Sequence, residues 1–232
     1  MEVLSHNLAN VNTTGFKPQL AILQARENEA NVQGYSQPGS GTLDDLSGGA
    51  TAQQTQTHFT QGPIEPTGRD TDFALSNTEA FFVVQRGDEQ LLTRAGNFLF
   101  DSKGGLVTPN GDAVLSGNGN PIKIDPELPY RVGSGGTIQQ SGESQSLQLT
   151  RPAQLGDLSR VGDNFYRPLS DTTQLGPGER PVINAHLEHS AVKPTSAMME
   201  LIETSRVYEA NLKMIQHQDQ SLGSLVGRLL KA

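Results

Sequence analysis

Residues Leu4–Pro18 read LSHNLANVNTTGFKP, and this stretch decides how the chain begins. Leu4, Leu8 and Val11 keep helical spacing, and then the pattern breaks. Three asparagines, two threonines, a glycine and a proline crowd into Asn7–Pro18. Asn and Gly tolerate the left-handed backbone that ends a helix. Pro18 pushes Lys17 out of the helical region. The reading is the end of an amphipathic helix stopped by a polar turn. A helix this short is unstable alone and needs a partner.

The other end of the chain offers one. After Pro194 there is no further proline, and glycine occurs only at 223 and 227. Leu201, Ser205, Tyr208, Leu212, Ile215, Asp219, Leu222, Val226 and Leu229 step by four and three in alternation. Seven of these nine are apolar, which makes a heptad seam. The pattern predicts a helix over 196–230, roughly 50 Å long at ~1.5 Å per residue. Thr195 or Ser196 is expected to cap it. Burying the six aliphatics of the seam is worth ~10–18 kcal/mol at most. A lone helix cannot bury its own seam, so a partner must. The alternative is a core helix packed on the rest of the same chain. The strict register argues against it, because a globular helix carries a broader stripe.

Between the ends the texture is β. Phe73-Ala74-Leu75 and Ala80–Val84 read as strands, and Leu91-Leu92-Thr93 follows a turn at Gly87-Asp88. Asn97–Asp101 and Leu106-Val107 flank Lys103-Gly104-Gly105 as a second hairpin. Pro109-Asn110-Gly111-Asp112 is a strong turn. Val114-Leu115, Ile122–Ile124, Thr137-Ile138, Leu147–Leu149, Phe165-Tyr166 and Val182-Ile183 continue at short spacing. The expected fold class is mainly β with α-helical termini. Four regions follow: a helix end and turn over 1–25, a polar linker or loop over 26–57, an all-β module over 59–190, and a heptad helix over 195–232.

Composition narrows the function classes. A net charge of −8 lacks the basic footprint that nucleic-acid binders need. There is no cysteine, hence no disulfide and no thiolate metal site. No stretch approaches the ~20 apolar residues of a membrane span. The N-terminus shows no basic and apolar signal-peptide pattern. No P-loop, dinucleotide glycine pattern or nucleophile elbow occurs. Gly133-Ser134-Gly135-Gly136 is a turn before Thr137-Ile138 rather than a phosphate cradle. His186 and His189 lie three apart, so on a strand they point to opposite faces, which disfavours a metal site. Asp70 and Asp72 would share a face on a strand, but nothing nearby identifies an acid–base partner. No enzyme activity, cofactor, metal or small-molecule substrate is expected.

Three blocks together resemble the bacterial flagellar basal-body rod and hook family. They are NLANVNTTGFK (Asn7–Lys17), FTQGPIEPTGRDTDFAL with AFFVV and LTRAGNFLFDSKGGLVTPNGDAVL (Phe59–Leu115), and LEHSAVKPTSAMMELIETSRVYEANLKMI (Leu187–Ile215). They occur in the family's order and span the chain except 26–57 and parts of 125–180. Ala80 and Ala191 stand where that family usually has Gly and Asn. Its members carry further helix ahead of the Asn-rich turn, so Met1 is expected to lie inside that helix. The resemblance implies terminal helices packed as coiled coils in the inner tube of an axial filament, with the β module outside. It implies a structural subunit of the periplasmic rod, exported by the flagellar type III apparatus without a cleaved signal peptide. Its partners would be copies of itself and other rod and hook proteins. The modest 26–57 segment and single β module resemble the proximal-rod type, with distal-rod or hook-type subunits as alternatives. Outside this family, the competing reading is a secreted β-rich binding module on a coiled-coil stalk. The expected assembly residues are Leu4, Leu8, Val11, Leu201, Tyr208, Leu212, Ile215, Leu222, Val226 and Leu229.

Overall fold

The turn signals in the middle of the sequence become chain reversals, and those reversals build a sheet. The computed structural model describes residues 1–25, 50–52, 55–162, 164–176 and 178–229. It is mainly antiparallel β-structure between two helices, α1 (Glu2–Ala9) and α2 (Pro194–Leu229). The largest sheet has nine strands. Phe81–Arg86 and Glu89–Thr93 form its central hairpin, closed at Gly87 with φ +59. Leu99–Phe100 pairs with Leu106–Val107, and that strand pairs in turn with Ala113–Val114 through the turn at Gly111. Ala113–Val114 returns to Phe81–Arg86. On the far side, Phe165–Pro168 joins Glu89–Thr93, and Leu158–Arg160 lies beyond it. Leu149–Pro152 pairs with both Phe81–Arg86 and Thr172–Gln174.

Phe81-Phe82-Val83-Val84 is apolar without alternation because this strand is covered on both faces. Phe82 and Val84 point into the larger core with Phe73, Leu91, Phe98 and Leu149. Phe81 and Val83 point the other way, to Leu92, Leu115, Leu158 and Tyr166. A separate three-stranded sheet follows, in which the Gly133–Gly136 turn closes Arg131–Gly133 on Thr137–Gln140.

Several expectations are corrected in detail. Ile122–Ile124 is not a strand of its own, since Lys123 makes an isolated bridge to Gly105. Leu147 likewise bridges Ser116, and regular pairing starts at Leu149. Asp70 and Asp72 do not share a strand face. Residues 69–72 turn, leaving Asp70 exposed and Asp72 buried against Arg69, Nε to Oδ2 2.9 Å. Helix α2 starts at Pro194 rather than after Thr195 or Ser196. Proline suits the first helical position, where its missing N–H has no intrahelical partner to lose. The polar stretch read as a linker lies outside the described residues except 50–52 and 55–57. Ala50–Ala52 pairs with Leu23–Ala25, and Gln56–Thr57 pairs with Gln19–Leu20.

Candidate assembly interface

The Asn-rich turn is held by its own side chains. Asn10 Nδ2 donates to His6 O at 3.1 Å, and Thr13 Oγ1 donates to Asn10 Oδ1 at 2.9 Å. Asn7 is buried and pairs reciprocally with Gln19. Its Nδ2 donates to Gln19 O at 2.8 Å, and its Oδ1 accepts from Gln19 N at 2.9 Å. The asparagines therefore end α1 and also fix the direction in which the chain leaves it. Gly15 is required by geometry. Its φ is +67, and a Cβ there would meet Arg94 and Ala95 backbone atoms at 2.5 Å.

This turn seats against the segment that leads into α2. Gly15 N donates to Glu188 O at 2.8 Å, and Ala191 N donates to Phe16 O at 3.1 Å. Phe16 is buried beneath Arg160, whose guanidinium lies 4.5 Å from the ring centre. Arg160 Nη2 also donates to Lys17 O at 3.0 Å. Both ends of the chain thus reach one place on the β module.

Three charged side chains meet under this seat. Glu188 and Arg94 are 0% exposed and Lys17 is 1% exposed. Glu188 Oε1 accepts from Lys17 Nζ at 2.5 Å and from Gly62 N at 3.0 Å. Glu188 Oε2 accepts from Arg94 Nη2 at 2.7 Å and Nε at 3.1 Å. Arg94 also donates to Ala80 O and Asn77 O, each at 2.6 Å, and Lys17 donates to Thr60 O at 2.7 Å. Burial pushes the Lys17 ammonium below its usual range; Glu188 opposes that shift and Arg94 adds to it. Each of the three sequence blocks contributes one member. Sequence reading missed the cluster, because nothing sets these three charges apart from the other charged residues of their blocks.

The expected assembly residues divide by position. Leu4 and Leu8 on α1 and Val11 just beyond it are half-buried. Helix α1 packs against α2. Along the first turns of α2, Ala197 is buried and Leu201, Thr204 and Ser205 are half-buried. Beyond Ser205 the helix is open: Tyr208 is 59% exposed, Leu212 41%, Ile215 54% and Leu222 60%. Ile202, Val207 and Met214 are exposed beside this line, so the apolar surface is wider than the seam. Val226 and Leu229 lie on α2, with side chains outside the described residues. A core helix packed on the module would not leave this stripe uncovered.

The two histidines of the HLEH segment are each engaged locally. His186 Nδ1 lies 2.7 Å from Asn184 O, and His189 faces Glu65 at 3.3 Å. Among the described residues, no group of three His, Cys, Asp or Glu side chains could hold a metal. Among the same residues, no helix is long and apolar enough to cross a membrane.

Comparison with known proteins matches the chain in three places. Residues 1–17 match the family described as flagella basal body rod protein. Residues 77–143 match the flagellar hook protein FlgE/F/G D1 domain. Residues 183–228 match the flagellar basal body rod FlgEFG protein C-terminal family. Over its whole length the chain is 35% identical to the flagellar basal-body rod protein FlgF of Caulobacter vibrioides, covering 92% of that protein. It is 31% identical to the rod protein FlgG of Bacillus subtilis, with 97% of this chain and 92% of the relative aligned. It is 28% identical to the flagellar hook-basal body complex protein FlhO of Bacillus subtilis, over 99% of this chain and 93% of that one.

Proposed function

This chain belongs to the flagellar basal-body rod protein family, FlgF-type or FlgG-type, and from that premise we propose how it is built into the rod. It is a structural subunit of the rod. We propose that subunits polymerise helically through α1 and α2, with the β module on the outside. Leu4, Leu8 and Val11, together with Leu201, Tyr208, Leu212, Ile215, Leu222, Val226 and Leu229, are the residues that carry this packing. The observation behind the proposal is the open stripe of α2 beyond Ser205. Beyond Ser205, six exposed apolar side chains among the described residues of this helix need a neighbouring chain, and a repeating head-to-tail contact that does not close yields a helical polymer.

The neighbours are copies of this subunit and other rod and hook proteins. The whole-length similarity to a FlgF protein favours the proximal rod over the distal rod. The periplasmic rod is the location that follows, with delivery by the flagellar type III export apparatus. The work is mechanical, passing torque from motor to hook, and involves no catalysis, cofactor or small-molecule substrate.

Leu212→Asp tests the packing. It places a charge in the middle of the stripe, where assembly would bury it without a partner. Rods should fail to incorporate the variant while its β module unfolds at the wild-type temperature. Normal incorporation, read by mass spectrometry of purified hook–basal bodies, would overturn the proposed seam.

A further inference from the structure

The cluster beneath the seat has two cations and one carboxylate. Lys17 and Glu188 are 171 residues apart in sequence, and Arg94 and Glu188 are 94 apart. The carboxylate accepts four hydrogen bonds, two at each oxygen, which is about all that an ionised carboxylate can take. Arg94 retains two carbonyl acceptors without Glu188, whereas the one other acceptor shown for the Lys17 ammonium is Thr60 O. Two like charges brought into a dry pocket without an anion between them repel strongly, and each also loses its hydration.

We infer that Glu188 is a keystone: the N-terminal segment closes onto the β module only once Glu188 is seated between Lys17 and Arg94. The module brings Arg94 into place from the sheet hairpin, and the N-terminal turn brings Lys17. These two elements cannot share the pocket until the segment leading into α2 has arrived. Docking of one chain end is therefore conditional on the other, and both helices are set in direction by the same event. Glu188, Lys17 and Arg94 act as positioning residues for α1 and α2. The device belongs to the isolated subunit and does not depend on the filament reading.

Amide hydrogen exchange on the purified full-length chain tests it, read at Gly15 and Ala191, whose N–H groups bond across the seat. Val84 and Leu91 in the central hairpin serve as internal controls. In Glu188→Gln the two cations lose their anion, and exchange at Gly15 and Ala191 should accelerate by about a hundredfold or more. Lys17→Met leaves a neutral Arg94–Glu188 pair, so its exchange there should stay within about threefold of wild type. The double variant should recover most of the loss, because the repulsion that Glu188 screened is gone. The controls should keep wild-type protection throughout. If Glu188→Gln does not fold, Lys17→Met and the double variant decide. Equal losses in the two single variants, additive losses in the double, or a double no better folded than Glu188→Gln would each overturn the keystone.

Discussion

The seat where the two chain ends meet and the helix that leaves it are finished to opposite degrees. At the seat, Glu188, Arg94 and Lys17 are buried, the Glu188 carboxylate is saturated, and Gly15 and Phe16 are covered. Along α2 beyond Ser205, large apolar side chains stand in the open. Conformational entropy must be offset by burial within the chain for the first region to be ordered. In the proposed packing, the second region makes its burial with other chains. The difference separates what the subunit must do alone from what only the polymer completes. It also means that stability and assembly are read by different residues.

Changes in the core should have the largest effect on the isolated subunit. Phe82→Ala empties a fully buried site in the central strand and should cost about 3–5 kcal/mol, measured by denaturant unfolding. A loss under about 1 kcal/mol would mean that the module is not the stable half of the comparison.

Alkaline pH should act next, through Tyr166. Burial pushes its phenol up to about 12 from 10.0, partly offset by Arg160. Below pH 10 the phenol is neutral in both states. Between 10 and 12 the unfolded chain ionises while the folded one resists, so stability falls by about 2–3 kcal/mol across that window. Lys17 has the opposite sign: its lowered folded pKa makes stability rise as pH climbs towards 10.5. Tyr166→Phe isolates the tyrosine contribution and should flatten the loss between 10.5 and 12 in pH-dependent unfolding. An unchanged slope would place the alkaline loss elsewhere.

Gly15→Ala should follow, at about 1–3 kcal/mol, since it combines a left-handed backbone with a Cβ driven into Arg94 and Ala95. Faster amide exchange at Ala191 with an unaltered central hairpin is the expected sign. Ile215→Ser should be smallest, within about 0.5 kcal/mol of wild type in the isolated chain, because the side chain is already in water. A larger loss would show that α2 is supported within the subunit and would erase the contrast.

The parts legible in the sequence were those encoded locally. Gly87-Asp88, Lys103-Gly104-Gly105 and Asn110-Gly111 marked real reversals because turn chemistry acts over a few residues. The heptad spacing marked α2, and the Asn-rich run marked the end of α1. Helix α2 starts at Pro194, a good first helical residue, although Thr195 and Ser196 compete with it as start signals in the sequence. Strand geometry would put Asp70 and Asp72 on one face, whereas Gly68 at φ +71 and the Arg69–Asp72 pair turn the chain there. The cluster of Lys17, Arg94 and Glu188 carried no local signal. Each member is an ordinary surface-type residue by sequence, and only the tertiary fold removes all three from water.

Viewed as a lever, α2 has an arm and a fulcrum of very different size. Its 36 residues extend about 54 Å at ~1.5 Å per residue. The segment 188–191 that anchors it is four residues long. A sideways force at the tip therefore acts on the anchor through a long arm. A shaft made of such arms is strong only if each is braced along its length, so in the proposed packing stiffness would belong to the stripe while the seat sets direction.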